Sequence, residues 1–165
     1  PMLLKVVTDI EPTDTGATLH DRLAQLGSSA VVEAVDKLAA GELTGEAQQD
    51  DLATYAHKLS KDCSLIDWSQ SADAIARAVR AFSPWPVSHT LHQGLSIKVH
   101  EAEVVSAQGQ PGTILSVERD GVLVACAKNA LLIKRMQLPN ARAMNVADIL
   151  NGRADLFAVG QVMGV

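Results

Sequence analysis

The chain has few of the residues that mark several specialised classes of protein. Its 165 residues include two cysteines, Cys63 and Cys126, too few and too far apart for a disulfide framework or a structural zinc site, so we expect two free thiols. No apolar run is long enough for a membrane span or a signal peptide, and we expect a cytoplasmic protein without membrane contact. No glycine-rich loop follows a strand as it does in nucleotide-binding proteins.

Aromatic residues are also scarce. Only five occur in the chain, and none lies between residues 86 and 156. Proteins that bind single-stranded nucleic acid usually stack bases on aromatic side chains. If this part of the chain binds RNA, we therefore expect it to hold phosphates and the shape of a folded molecule.

Charge is distributed unevenly along the chain, whose net charge is −5. Residues 1–50 carry nine acidic and three basic side chains, whereas residues 51–165 carry ten acidic and eleven basic ones. No acidic residue occurs from 121 to 147, a stretch that contains four cations. Because phosphate binding depends on clustered cations, a local RNA-binding surface is compatible with the acidic total.

The first part of the chain has the pattern of one strand and one helix. Residues 2–8 are short and mostly apolar, which predicts a strand. Residues 18–40 carry apolar side chains at steps of three and four, which predicts an amphipathic helix. Asp14 or Thr15 can cap its start, and Gly41 ends it. Two such elements cannot bury their apolar faces alone, so we expect them to pack against something further.

The rest of the chain is predicted to change from a linker to a helix and then to short strands. The predicted elements are a polar linker at 42–54, a helix from Ser69 to Phe82, strands at 87–92 and 95–105 about Gln93-Gly94, strands at 112–117 and 122–126 about Asp120-Gly121, a strand at 130–138 and a short helix capped by Asn145. Short strands with glycine turns indicate a small closed or half-closed barrel of the oligonucleotide-binding (OB) type. The predicted fold class is mainly β with flanking helices (α+β).

Three motifs follow one another in the middle of the chain. Tyr55-Ala-His-Lys-Leu-Ser-Lys61 and Ile66-Asp-Trp-Ser69 lead through a predicted helix to Arg80-Ala-Phe-Ser-Pro-Trp-Pro86. Together they resemble the motifs of one family, the methionyl-tRNA formyltransferases. The family usually has Asn where this chain has Ser83. Residues 14–27 resemble a helix of the family, and residues 111–115 and 137–153 resemble its barrel.

The resemblance implies a domain organisation. Residues 1–43 would be the last strand and helix of an α/β formyltransferase catalytic domain, residues 44–62 a linker and residues 63–165 a tRNA-binding barrel. The family motifs that supply an Asn, a His and an Asp around the formyl carbon are absent from this sequence. The first residue is Pro1 rather than Met, as in a piece of a longer protein. We therefore expect no catalytic residue here and a preceding catalytic domain in a monomeric parent enzyme.

The resemblance also implies a function. The family transfers a formyl group from 10-formyltetrahydrofolate to the amino group of initiator methionyl-tRNA in translation initiation, and this part would help to hold the tRNA. No cofactor is expected in this chain itself. Candidate tRNA-binding residues are Lys58, Lys61, Arg77, Arg80, Lys98, Lys128, Lys134, Arg135 and Arg142. The family often has two cations near Arg142 and two near Arg153, where this chain has one each.

Two alternatives remain open from the sequence. The same barrel could belong to a folate-dependent formyltransferase or hydrolase that acts on an amino sugar or on folate, or the chain could be a stand-alone RNA-binding or scaffold module. A metal site is not expected, because His89 and His92 lie three apart on a predicted strand and so face opposite sides. Lys134 and Arg135 are adjacent on a strand, so only one of them can face a given side.

Overall fold

The structure is a computed structural model that describes residues 1–164. It divides into two compact units, the first comprising Pro1–Lys58 and the second beginning at Leu59. The helices are Gly16–Ala39 (α1), Ala72–Ala81 (α2) and Val146–Gly152 (α3), and the strands are His89–His92 (β1), Leu95–Val105 (β2), Ile114–Glu118 (β3), Gly121–Ala125 (β4), Ala130–Gln137 (β5) and Met144–Asn145 (β6). Two 3-10 helices occupy Asp50–Leu52 and Asp62–Ser64.

Helix α1 begins and ends as its sequence predicts. Thr15 is the N-cap, and its hydroxyl accepts a hydrogen bond from the Thr18 backbone N–H at 3.2 Å. The Thr18 hydroxyl accepts in return from the Thr15 N–H at 2.9 Å, which completes a capping box. Beyond the other end Gly41 adopts φ +72°, a conformation that glycine reaches without a steric penalty.

The apolar side chains of α1 are at most partly covered within the first unit. No residue of α1 is buried, although the helix is 24 residues long. Four apolar side chains in its second half are 54–64% exposed: Val31, Val32, Val35 and Leu38. The expectation that this helix needs a further packing partner is consistent with these exposures.

The strand predicted for residues 2–8 is not formed, and this prediction was wrong. Only Met2 pairs with another segment, through two backbone hydrogen bonds of 2.7 and 2.8 Å to Glu46. A strand needs a neighbour to satisfy its N–H and C=O groups. No backbone hydrogen bond joins residues 3–8 to another segment within residues 1–164.

The second unit is built on one antiparallel sheet in the order β1-β2-β5-β4-β3, with β6 paired to β5. The predicted hairpin turn at Gln93-Gly94 is confirmed, and both residues have positive φ values of 50° and 73°. The β3–β4 turn lies one residue earlier than predicted, because Gly121 pairs with Glu118. A Cβ at Gly121 would lie 2.8 Å from the Ile133 carbonyl oxygen, so close packing on β5 requires the glycine.

Helix α2 packs on the sheet and begins two residues later than predicted. Its N-cap is Ser71, whose hydroxyl accepts from the Ala74 N–H at 3.3 Å. Ser69 instead donates from its N–H and its hydroxyl to the Asp67 carboxylate, at 2.9 and 2.6 Å. The buried face of α2, which includes Ile75 and Val79, joins a core formed with the inner side of β2, β4 and β5.

The last described residues connect the two edge strands of the sheet. Val162 pairs with Thr113 beside β3, and the Gly164 N–H donates to the Leu91 carbonyl of β1 at 2.7 Å. The sheet with this connection is a curled half-barrel flanked by helices. No helix among residues 1–164 is long and apolar enough to cross a membrane.

Candidate nucleic-acid interface

The three histidines of the first hairpin have separate environments. His89 lies 3.1 Å from the Ser64 hydroxyl, and His100 lies 3.2 Å from the Gln137 side-chain oxygen. His92 is buried, contacts the Leu156 carbonyl through Nε2 at 2.9 Å and stacks on Phe157. His89 and His92 thus face opposite sides, as predicted. Residues 1–164 contain no group of three or more His, Cys, Asp or Glu side chains placed to hold a metal ion.

The candidate cations differ in whether a carboxylate neutralises them. Lys134 forms an ion pair with Glu103 at 2.8 Å, and this hydrogen bond raises the pKa of Lys134. The eight other candidates make no ion pair within the described part of the chain. Because Lys134 already has a partner, it contributes less to any anion-binding surface than the unpaired cations do.

A series of contacts connects Lys61 with Lys98. The Ser64 hydroxyl donates to the Lys61 carbonyl at 2.7 Å and lies beside His89. His89 is directly opposite Lys98 in the β1–β2 ladder. Cross-strand partners in an antiparallel pair point to the same face of the sheet. Lys61, His89 and Lys98 therefore lie along one part of the outer surface.

The same series continues across the sheet to Arg142. Lys98 is directly opposite Gln137 of β5. The Gln137 amide donates to the Ala141 carbonyl at 2.8 Å, while its oxygen is placed to accept from His100. This contact holds the turn in which Arg142 follows Ala141. We call the set Lys61, His89, Lys98, His100, Gln137 and Arg142 the basic band.

Arg135 and Arg142 line the same surface depression. Its other lining residues are Ala143, Met144, Asn145 and Asp148. Arg135 is exposed and directly opposite Asn145 in the β5–β6 ladder. An irregularity of the β2–β5 register places Glu101 opposite Arg135, yet no carboxylate lies within 4 Å of either guanidinium among residues 1–164.

The remaining candidates belong to other surfaces. Lys128 is exposed, and its carbonyl accepts from the Ala72 N–H at 3.0 Å, which places it at the start of α2. Arg77 is exposed on α2, and Arg80 is half-buried, with its guanidinium donating to the Ala76 carbonyl at 3.3 Å. Lys58 is exposed at the end of the first unit.

Several members of the basic band were not singled out by sequence reasoning. Gln137 is uncharged, His100 was not named as an RNA-binding candidate, and His89 was considered only as a metal ligand. Their positions follow from strand register, which one sequence does not determine. The hairpin turn at Gln93-Gly94 could have placed His89 opposite Lys98, because it fixes which residues oppose each other in β1 and β2. It gives no information on Gln137, which lies in β5.

The two thiols are free and show opposite pKa shifts. The hydrogen bond from the Ser60 side chain lowers the pKa of the exposed Cys63. Burial raises the pKa of Cys126 to about 11. Neither thiol lies among the residues of the basic band, so the candidate interface does not depend on cysteine chemistry.

Comparison with known proteins matches most of the chain to a described domain family and nearly all of it to curated relatives. Residues 58–154 match a family model described as the formyl transferase C-terminal domain. A methionyl-tRNA formyltransferase of Pseudomonas syringae pv. tomato is 53% identical over 164 residues, which are 99% of this chain and 52% of that protein. One of Pseudomonas putida strain F1 is 53% identical over 99% of this chain and 53% of its own length. The chain therefore spans about half the length of the curated relatives that it matches.

Solved structures show the same fold at low identity. A variant of HypX from Aquifex aeolicus superimposes with a TM-score of 0.64 over 88% of this chain and 28% of that protein, at 17% identity. HypX in complex with tetrahydrofolic acid superimposes with a TM-score of 0.56 over 76% of this chain and 22% of that one, at 20% identity. At these identities the likeness concerns the fold alone.

Proposed function

The chain belongs to the formyl transferase C-terminal domain family, and from that premise we propose that it is the carboxy-terminal half of a methionyl-tRNA formyltransferase. The observation that carries the proposal is the 53% identity to curated methionyl-tRNA formyltransferases over 99% of the chain, which includes both units. The alternatives with an amino-sugar or folate substrate have less support, since the curated relatives at 53% identity are named methionyl-tRNA formyltransferase.

We propose that the role of the second unit is to hold the initiator methionyl-tRNA. The support is the basic band with Arg135, whose cations have no ion-pair partner in the described residues. Unpaired cations on one surface attract phosphates, and an RNA backbone supplies phosphates at regular spacing. The barrel over residues 63–165 would then be of the oligonucleotide-binding type.

We propose that the reacting groups and 10-formyltetrahydrofolate belong to the half of the enzyme that precedes this chain, with no catalytic residue here. Amine attack on a formyl group needs a positioned base and stabilisation of an oxyanion, and the motifs that provide them in this family are absent from the sequence. Residues 1–43 would be the end of that catalytic domain and residues 44–62 the linker. The exposed side chains of α1, such as Val31 and Val35, would then be covered by the preceding half in a cytoplasmic, monomeric enzyme.

A chimeric enzyme tests the proposed function. The matching half of the Pseudomonas syringae enzyme is replaced by this chain, and formylation of methionyl-tRNA is measured with 10-formyltetrahydrofolate. We expect the chimera to formylate the tRNA and the chain alone to show no turnover above background. A well-folded chimera without activity, beside an active parent enzyme, would contradict the proposal, and so would turnover by the chain alone.

A further inference from the structure

Two arginines from different elements line one depression of the second unit. Arg135 comes from β5, and Arg142 comes from the turn between β5 and β6. An arginine guanidinium is planar and presents several donors, which match the oxygens of a phosphate. Two guanidinium groups beside one concave surface therefore form an arrangement suited to a single phosphate.

The supports of the two arginines keep them together. Arg135 is tied to β6 through its ladder position opposite Asn145. The turn that carries Arg142 is held to β5 by the hydrogen bond from Gln137 to the Ala141 carbonyl. Because both supports are part of the folded sheet, the depression exists before any ligand arrives, and less ordering is needed on binding.

The depression carries hydrogen-bond donors as well as a carboxylate. Asn145 is exposed, and its side chain makes no hydrogen bond within the described part of the chain, so its amide N–H groups can donate to a ligand. Asp148 also lines the depression, and its carboxylate makes no ion pair with Arg135 or Arg142 in the described part of the chain. Asp148 at the depression and Glu101 opposite Arg135 balance the two cations in number, so recognition of a phosphate here depends on the several donors of each guanidinium rather than on net charge.

We propose that Arg135 and Arg142 clamp one backbone phosphate of the bound RNA, with the Asn145 amide as a third donor. The inference rests on the proposed function and adds to it that these two cations act on the same phosphate. The other candidates, including Lys128 and Arg77, lie on different elements and contact different phosphates or none.

A double-mutant cycle on the whole chain tests the clamp. Affinity for folded initiator tRNA is measured against salt for Arg135→Ala, Arg142→Ala and the double variant. Each single change should weaken binding roughly tenfold, as for the loss of a charge-assisted hydrogen bond. The double change should weaken binding by less than the product of the two single effects, because the pair shares one ligand. The double variant should reduce the magnitude of the slope of log affinity against log salt by about one unit, the value for one phosphate.

Matched controls remove the same charge elsewhere. Arg119 is exposed in the β3–β4 turn, and Lys37 is paired with Glu33 on α1, so Arg119→Ala with Lys37→Ala also removes two positive charges. We expect this control to change affinity less than twofold. Circular dichroism and thermal melting of every variant confirm that the sheet is intact.

The outcomes separate the clamp from the proposed function. If the unchanged chain binds tRNA with a steep salt dependence but the Arg135 and Arg142 effects multiply independently, or match the control, the clamp is wrong and the function stands. If the unchanged chain does not bind tRNA, both are wrong.

Titration with inorganic phosphate is a second experiment, in which the nuclear magnetic resonance signals of the Nε–H groups of Arg135 and Arg142 should shift with one common dissociation constant. Phosphate binding without any effect of the variants on tRNA would indicate a free-phosphate site and overturn the clamp.

Discussion

The two units of the chain are stabilised in opposite ways. In the first unit, α1 has a complete capping box but buries none of its 24 residues. In the second, Val99, Val124 and Leu131 are fully buried between the sheet and the helices. Local signals can therefore determine where a helix begins and ends, whereas the stability of a fold depends on apolar side chains that lose contact with water.

The largest expected difference concerns hydrogen exchange. Strands of a folded core exchange only through near-global opening, whereas a helix with an uncovered face opens locally. Residues 95–138 should therefore be protected at least about a thousandfold more than residues 2–40, which corresponds to roughly 4 kcal/mol of opening free energy. The measurement is exchange on the isolated chain, with its monomeric state checked by light scattering, because an exposed apolar stripe favours association. Equal protection of the two ranges in a monomer would show that residues 2–40 are as stably folded as the sheet.

A matched pair of substitutions sharpens the same comparison. Val124 is 0% exposed in β4, and Val35 is 59% exposed on α1. Val124→Ala removes buried methyl groups and leaves a cavity, so it should lower the free energy of unfolding by about 2 kcal/mol. Val35→Ala should change it by less than about 0.5 kcal/mol, since the side chain is exposed and Ala has the higher helix propensity.

Urea denaturation is followed by two probes, tryptophan fluorescence for the second unit, where Trp68 is buried, and far-ultraviolet circular dichroism for α1. The control is the slope of the unfolding free energy against urea, which should stay constant in both variants. A loss at Val35 as large as that at Val124 would show that α1 is packed in the isolated chain.

A smaller effect concerns the ion pair between Arg22 and Asp14 in the first unit. Hydrogen bonds from the Arg22 side chain, and then from the Glu11 backbone, lower the pKa of Asp14 from 3.8 to about 2. Because the folded-state pKa is depressed, the stabilisation is complete above about pH 4 and is lost as pH falls through about 2. We expect the start of α1 to lose order in that range.

Carboxyl carbon shifts measured against pH test this contact. Arg22→Gln should return the pKa of Asp14 towards 3.8. Asp67 in the second unit is the control, since its pKa is lowered by Ser69 and Gln70 and should not respond. An unchanged Asp14 titration in the variant would mean that Arg22 does not hold the carboxylate.

Sequence reasoning succeeded where the structure depends on neighbours along the chain. Thr15 and Gly41 mark the ends of α1, and Gln93-Gly94 forms a hairpin turn, because caps and turns are decided within a few residues. It failed for residues 2–8, since a strand exists only beside another strand. It also placed the α2 cap at Ser69, two residues too early. In the structure the Ser69 hydroxyl donates to the Asp67 carboxylate, and Ser71 caps the helix instead.

The candidate interface was only partly predictable. The sequence indicates which residues carry charge, but not that Lys134 is paired with Glu103 while Arg135 shares a depression with Arg142. These relations depend on the β2–β5 register, which is irregular near Glu101. A register shift of one residue moves side chains to the other face of the sheet. Residue spacing alone does not determine the register between two strands that are distant in the sequence.

The central claim is that the chain holds folded tRNA through phosphates, and its affinity for initiator tRNA as a function of salt tests this most directly. If about four phosphates are neutralised, the slope of log affinity against log salt should be about −3 to −4. Poly-pyrimidine single strands should not displace the tRNA, because residues 86–156 offer no aromatic side chain for base stacking. A salt-independent affinity, or a preference for unstructured single strands, would contradict the account.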